Sequence, residues 1–177
     1  PTNLPVEQTT LLGRDADVEA LTALLHESPL VTVTGVGGIG KSRLAVHVAR
    51  SIIDEFPDGV FYVDAAPHQS IGPFLSDMAA AIGIRLPTDG DPVQSLVEQL
   101  VGRSAMLVID TVDRLTGFGP LASRLLAGCT SLRILATCRS PIHVVAEREY
   151  PLRALDIPSS RGSDAAALAA SPAIQLF

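Results

Sequence analysis

Two cysteines, no basic cluster and no long apolar run set the first limits on this chain of 177 residues. Cys129 and Cys138 have no C-x-x-C spacing, which argues against a disulfide framework or a metal site and leaves buried free thiols as the expectation. His26, His47, His68 and His143 lack ligand spacing as well, so they are expected to be ordinary surface or helix residues. Lysine and arginine total 13 against 19 acidic residues, a net charge of −6. That balance argues against direct contact with a nucleic-acid backbone by this segment. The apolar residues are scattered, and none of their runs approaches the roughly 20 residues of a membrane span. No signal-peptide pattern follows Pro1, so a portion of a cytoplasmic protein is expected. There is no internal repeat, and the length suits a single domain with a real core.

What is present is concentrated in residues 31–42, VTVTGVGGIGKS. Val31 to Thr34 alternate as a strand would. Gly35-Val36-Gly37-Gly38-Ile39-Gly40-Lys41-Ser42 then completes the phosphate-loop pattern G-x-x-x-x-G-K-[ST]. Glycines let successive amide N–H groups turn into one concavity, and the following helix points its positive end at the anion. Lys41 is expected to reach the β- and γ-phosphates and Ser42 to ligate Mg²⁺, with Arg43 counted in the same cofactor-binding stretch. Leu44, Val48 and Ile52 form the apolar stripe of that helix. Gly35, Gly37 and Gly40 also satisfy G-x-G-x-x-G, so an NAD-binding Rossmann domain is a remote alternative, with Asp64 as its ribose carboxylate.

Strand and helix patterns alternate after residue 30, predicting an α/β fold with three layers, a five-stranded parallel sheet flanked by helices. Asp15 is expected to cap a first helix with Val18, Leu21 and Leu24 or Leu25 on its apolar face. The helix after the loop should reach about Ile53, a strand cover residues 60–63, and a helix residues 71–82. Asp91-Pro92 reads as an N-cap followed by proline at the first helical position. Residues 105–109 read as a central strand buried on both faces. A short helix over 120–127 should stop at Gly128. A fourth strand is predicted over 132–137 and a short fifth over 149–152.

Asp110 ends the third strand, where a carboxylate can organise Mg²⁺ beside the loop's serine. A second carboxylate directly after it would serve hydrolysis, but Thr111 stands there. Asp113 is the nearest substitute for orienting water, or else a turn residue paired to Arg114. Arg139 follows the fourth strand and faces the crevice where open α/β sheets bind ligands, suited to sensing the γ-phosphate. The absence of an N-K-x-D segment favours ATP over GTP.

Taken in order, Leu12-Gly13-Arg14, the loop at 35–42, Ile109-Asp110, Thr137-Cys138-Arg139 with Pro141, and Ser171-Pro172 with Gln175-Leu176-Phe177 carry a resemblance. Together they resemble the NB-ARC-type ATPase module of the STAND class, signal-transduction ATPases with numerous domains. The module is similar to that of large actinobacterial transcriptional regulators, in which DNA-binding and helical-repeat domains flank it. The resemblance implies that Gly13 and Arg14 lie near adenine and ribose and that Arg139 is the sensor arginine. Relatives often carry Asp-Asn at the metal-binding step and a glutamate two residues on. Here those positions hold Thr111 and Asp113, which implies weak hydrolysis.

The expected organisation is a nucleotide-binding domain over 1–157, with residues 1–29 carrying the Gly-Arg motif. Residues 158–177 are expected to be a linker and the start of a helical subdomain that continues beyond Phe177. The expected function is a cytoplasmic switch that binds ATP or ADP with Mg²⁺ and acts on other domains of the same protein. Oligomerisation of that full-length protein is compatible with this reading. A catalytically inert nucleotide-binding scaffold and a small-molecule kinase are the rivals.

Overall fold

The computed structural model describes residues 1–7 and 11–155. The linker and helix start expected over 158–177 lie outside the described residues.

Five strands carry the architecture. They are β1 (Leu30–Thr34), β2 (Val60–Asp64), β3 (Met106–Asp110), β4 (Arg133–Cys138) and β5 (Glu147–Pro151), in the spatial order β2-β3-β4-β1-β5. All four pairings are parallel. β1 and β3 are buried at every position, as continuous apolar runs in a covered parallel sheet should be.

Five helices cover the sheet: α1 (Asp15–Glu27), α2 (Lys41–Ser51), α3 (Ile71–Ile82), α4 (Pro92–Leu100) and α5 (Phe118–Gly128). Successive side chains of a strand point to opposite faces, so each strand feeds two cores. Met106 and Val108 pack with Leu21 and Leu25 of α1 and with Leu44 and Val48 of α2. Leu107 and Ile109 pack with Phe74, Leu96 and Leu125 from α3, α4 and α5. The three-layer expectation therefore holds, and no described helix is long and apolar enough to cross a membrane.

The sheet order removes the dinucleotide alternative. In a Rossmann sheet the second strand lies beside the first, so its terminal carboxylate reaches a ribose held by the first loop. Here β4 and β5 flank β1, and β2 is the far edge strand. Asp64 instead accepts the Ala66 amide at 2.9 Å in a local turn.

Three local expectations are corrected. Arg14, not Asp15, occupies the N-cap of α1, while Asp15 and Asp17 place negative charge in its first turn. Gly128 is the last residue of α5 rather than its stop. A Cβ there would lie 2.3 Å from Val97 Cγ1, so the glycine lets α4 and α5 approach. β5 begins at Glu147, two residues earlier than the apolar pattern suggested.

The α4 start matches its prediction. Asp91 accepts from the Val93 and Gln94 amides and meets Arg124 of α5 at 2.6 Å. The Arg124 hydrogen bond, more than the two amides, holds the Asp91 carboxyl below its ordinary pKa. A depressed pKa in the folded state stabilises at pH values above the ordinary one and is lost as pH falls through the folded value. Asp91→Ala is expected to lower the urea midpoint at neutral pH. The gap to the parent should close as pH drops below about 4, the ordinary aspartate range. A gap unchanged in strong acid would refute this assignment.

Candidate functional site

The site forms where β1, β3 and β4 end. Gly35 leaves β1 at φ +145°, and Leu152, just past β5, donates its amide to Thr34 O at 2.8 Å. The loop therefore starts pressed against the chain leaving β5: a Cβ on Gly35 would sit 2.9 Å from Leu152 O. Gly38 and Gly40 also take positive φ, and α2 begins directly at Lys41. Phosphate loop and helix N-terminus thus form one continuous unit, with a geometry suited to an anion. The Lys41 ammonium donates to Gly35 O at 2.8 Å and Val36 O at 2.9 Å, lying back over the loop.

Asp110 is the second element, only 8% exposed at the end of β3. Its Oδ1 accepts Ser42 Oγ–H at 2.7 Å and the Thr137 hydroxyl, and its Oδ2 accepts Tyr62 O–H at 3.0 Å. The structure thus brings together the serine and aspartate that the sequence singled out, 68 residues apart in the chain. Tyr62 and Thr137 were missed, because they come from the flanking strands β2 and β4 and the strand order is not written in the sequence. The pair Ser42–Asp110 is a hard-oxygen set suited to Mg²⁺. Among the described residues no group of three or more His, Cys, Asp or Glu could hold a metal. A cation beside Ser42 would therefore complete its shell with phosphate oxygens and water.

Thr111 follows in the left-handed region at φ 58°, a strained conformation for a β-branched residue, and donates its amide to Thr137 Oγ1 at 2.8 Å. Asp113 accepts the Arg139 amide at 2.7 Å through Oδ1, and no ion pair joins it to Arg114 among the described residues. It therefore ties the turn after β3 to the end of β4. Arg139 is exposed, and its guanidinium lies 3.9 Å from where a Gly37 Cβ would stand. Gly37, Gly38, Gly40, Lys41, Ser42, Arg43, Thr111, Asp113 and Arg139 line one cleft of about 350 Å³. All three groups nominated for catalysis, Lys41, Asp113 and Arg139, open onto it.

Arg14 is placed differently from a residue that reaches a base. It is 7% exposed and donates to Asp17 Oδ2 at 3.0 Å, Arg153 O at 2.8 Å and Ile39 O at 3.3 Å. Tyr150 completes the cluster by donating to Asp17 Oδ1 at 2.6 Å. Burial first and the Asp17 contact second push the Tyr150 phenol up to about 12. The guanidinium thus fastens α1, the phosphate loop and the chain beyond β5 together. Gly13, beside it, has φ 66°.

The other polar expectations fall away from the cleft. His26, His47 and His68 pair with Glu55, Glu7 and Asp77 respectively. Cys129 and Cys138 are both buried free thiols. Burial raises both thiol pKa values.

With this geometry in hand, known proteins supply the comparison. A family model for an AAA ATPase domain matches residues 10–148. Over 136 residues the chain is 34% identical to a protein of Mycobacterium tuberculosis named as an HTH-type transcriptional regulator, across 76% of this chain and 15% of that protein. The regulatory protein AfsR of Streptomyces griseus is 28% identical over 190 residues, across 100% of this chain and 18% of AfsR. The chain thus spans less than a fifth of the length of either relative. Two solved structures share the fold. The ORC2 protein of Aeropyrum pernix, in ADPNP and ADP complexes, has a TM-score of 0.60 at 14% identity, covering 82% of this chain and 50% of that one. A signal-transduction ATPase with numerous domains from Pyrococcus horikoshii, with a tetratricopeptide repeat sensor, has a TM-score of 0.52 at 17% identity, covering 86% and 24%.

Proposed function

The chain belongs to the AAA ATPase domain family, and from that premise we propose that it is the nucleotide-operated switch module of a larger regulator. It binds ATP or ADP with Mg²⁺, hydrolyses ATP slowly, and passes the difference to other domains of the same cytoplasmic protein. The carrying observation is a complete phosphate loop whose Ser42 meets the buried Asp110 at 2.7 Å, with a threonine where a second carboxylate would serve hydrolysis.

Each residue then has a defined part. The amides of Gly35 to Gly40 and the N-terminus of α2 surround the phosphates, with Arg43 beside them. Lys41 leaves the loop carbonyls to meet the β- and γ-phosphates. Ser42 and Asp110 are the residues that would hold Mg²⁺, which when bound would neutralise charge on the phosphates. Arg139 reads the γ-phosphate across the cleft. Asp113 is the carboxylate available to orient water, and one of its oxygens is already engaged by the Arg139 amide. That engagement and the inability of the Thr111 hydroxyl to act as a base near neutral pH both favour slow turnover. Gly13 and the main chain around it face the base and ribose, since the Arg14 guanidinium is committed to protein acceptors. Residues 1–157 form the nucleotide-binding unit. The segment makes no direct nucleic-acid or membrane contact.

Calorimetry with ADP, ATP and GTP, each with and without Mg²⁺, tests this reading. Adenine nucleotides should bind more tightly than GTP, and more tightly with the cation. Phosphate release should be slow, well under the roughly 10 s⁻¹ of a median enzyme. Equal affinity for ADP and ATP with no turnover would support an inert scaffold instead, the reading that Thr111 favours. A phosphorylated small molecule would support a kinase.

A further inference from the structure

Asp110 is gripped from both sides, and one grip comes from a residue that the proposed function leaves unused. A carboxylate is free to turn about its terminal torsion, where rotamer preferences are broad. Ser42 and Thr137 both donate to Oδ1, which fixes that oxygen alone. Oδ2 is held by Tyr62, whose hydroxyl reaches it at 3.0 Å.

The tyrosine is itself well placed. It lies in β2 opposite Val108, two residues before Asp110 in β3, and its ring joins the core on the α2 face. Its main chain is pinned from outside the sheet: Asn3 accepts the Tyr62 amide at 2.7 Å and donates to the Tyr62 carbonyl at 2.9 Å. A phenol has an ordinary pKa of about 10, so at neutral pH the hydroxyl is a donor.

We infer that Tyr62 is a positioning residue for Mg²⁺-dependent nucleotide binding, fixing the orientation of the Asp110 carboxylate that would hold the cation. The inference rests on the nucleotide-switch reading above. It assigns the phenol no contact with nucleotide, so its loss acts only through the metal. Partners that orient a group in a metal shell typically change metal affinity by 10- to 100-fold when removed.

Tyr62→Phe keeps the ring in the core and deletes only the donor. ADP binding is measured by calorimetry with Mg²⁺ and with EDTA, for the parent chain and the variant. The parent should gain affinity from Mg²⁺. The variant should match it in EDTA and lose roughly tenfold of the Mg²⁺-dependent gain, with a raised Mg²⁺ midpoint. An undiminished gain in the variant would overturn the proposal while leaving the nucleotide site intact. Equal losses in EDTA and Mg²⁺ would also overturn it, assigning the hydroxyl a purely structural part. A parent chain that binds no ADP under either condition would remove the nucleotide reading itself, and this inference with it.

Discussion

Lys41→Ala is expected to weaken ADP and ATP binding on the order of 100-fold, from the 2–5 kcal/mol typical of stranding one member of a buried charged pair. The ammonium already hovers over the loop, bonded to two carbonyls of the same turn. Those acceptors are neutral carbonyls, which a polyphosphate outcompetes because it adds the attraction between two full opposite charges. Alanine removes the ammonium and leaves the loop amides, Arg139 and the cation to meet the phosphates. Lys41 is also the single lysine among these 177 residues, which supplies an independent readout. An amine-selective reagent should modify one ε-amine in the free chain, and saturating ADP with Mg²⁺ should protect it. Undiminished affinity in the alanine variant, or labelling indifferent to nucleotide, would remove the phosphate site from positions 35–42.

The second large effect concerns stability. Gly35→Ala is expected to cost about 3 kcal/mol, which for a chain of this size lowers the thermal midpoint by roughly 6–12 °C. Two costs combine. The backbone sits at φ +145°, a region reserved largely for glycine, and the new methyl would meet Leu152 O at 2.9 Å. Leu152 cannot retreat freely, because its amide is bonded to Thr34 O. Gly38→Ala is the control. It shares a positive φ of +79° but meets nothing within 4 Å, so it should show only the backbone strain of roughly 1–2 kcal/mol. Equal losses in thermal unfolding for the two variants would show that contact with Leu152 contributes nothing.

How much of this was legible in advance depends on whether the signal is local. The phosphate loop is contiguous, and its neighbours in sequence are its neighbours in space. The third helix was bounded as Ile71–Ile82, and Asp91-Pro92 marked its successor, because caps and periodicity act within a few residues. β5 was placed late because Glu147 and Arg148 interrupt its apolar pattern at an exposed edge. Gly128 was misread because glycine serves either a left-handed stop or a close approach, and only the position of Val97 separates them. The partners of Asp110 were invisible for a different reason. Thr137 and Tyr62 lie 27 and 48 residues away, and nothing local says that β2 and β4 flank β3. Recognising that Thr137 lies next to the end of a strand beside the acidic one would have been the available hint. The commitment of Arg14 to two main-chain oxygens likewise depends on where the chain passes after β5.

The two borders of the sheet bear on how copies of this chain behave in concentrated solution. Beyond β2, Val60 donates its amide to Pro1 O, Thr2 forms a parallel bridge with Val60, and the side-chain amide of Asn3 imitates a neighbouring strand at Tyr62. Beyond β5, the outermost strand offers Glu147, Arg148 and Glu149 and closes on Pro151. Charge and proline at such a border discourage annexation by a foreign strand. Among the described residues, both flanks are therefore poor templates for a continued ladder.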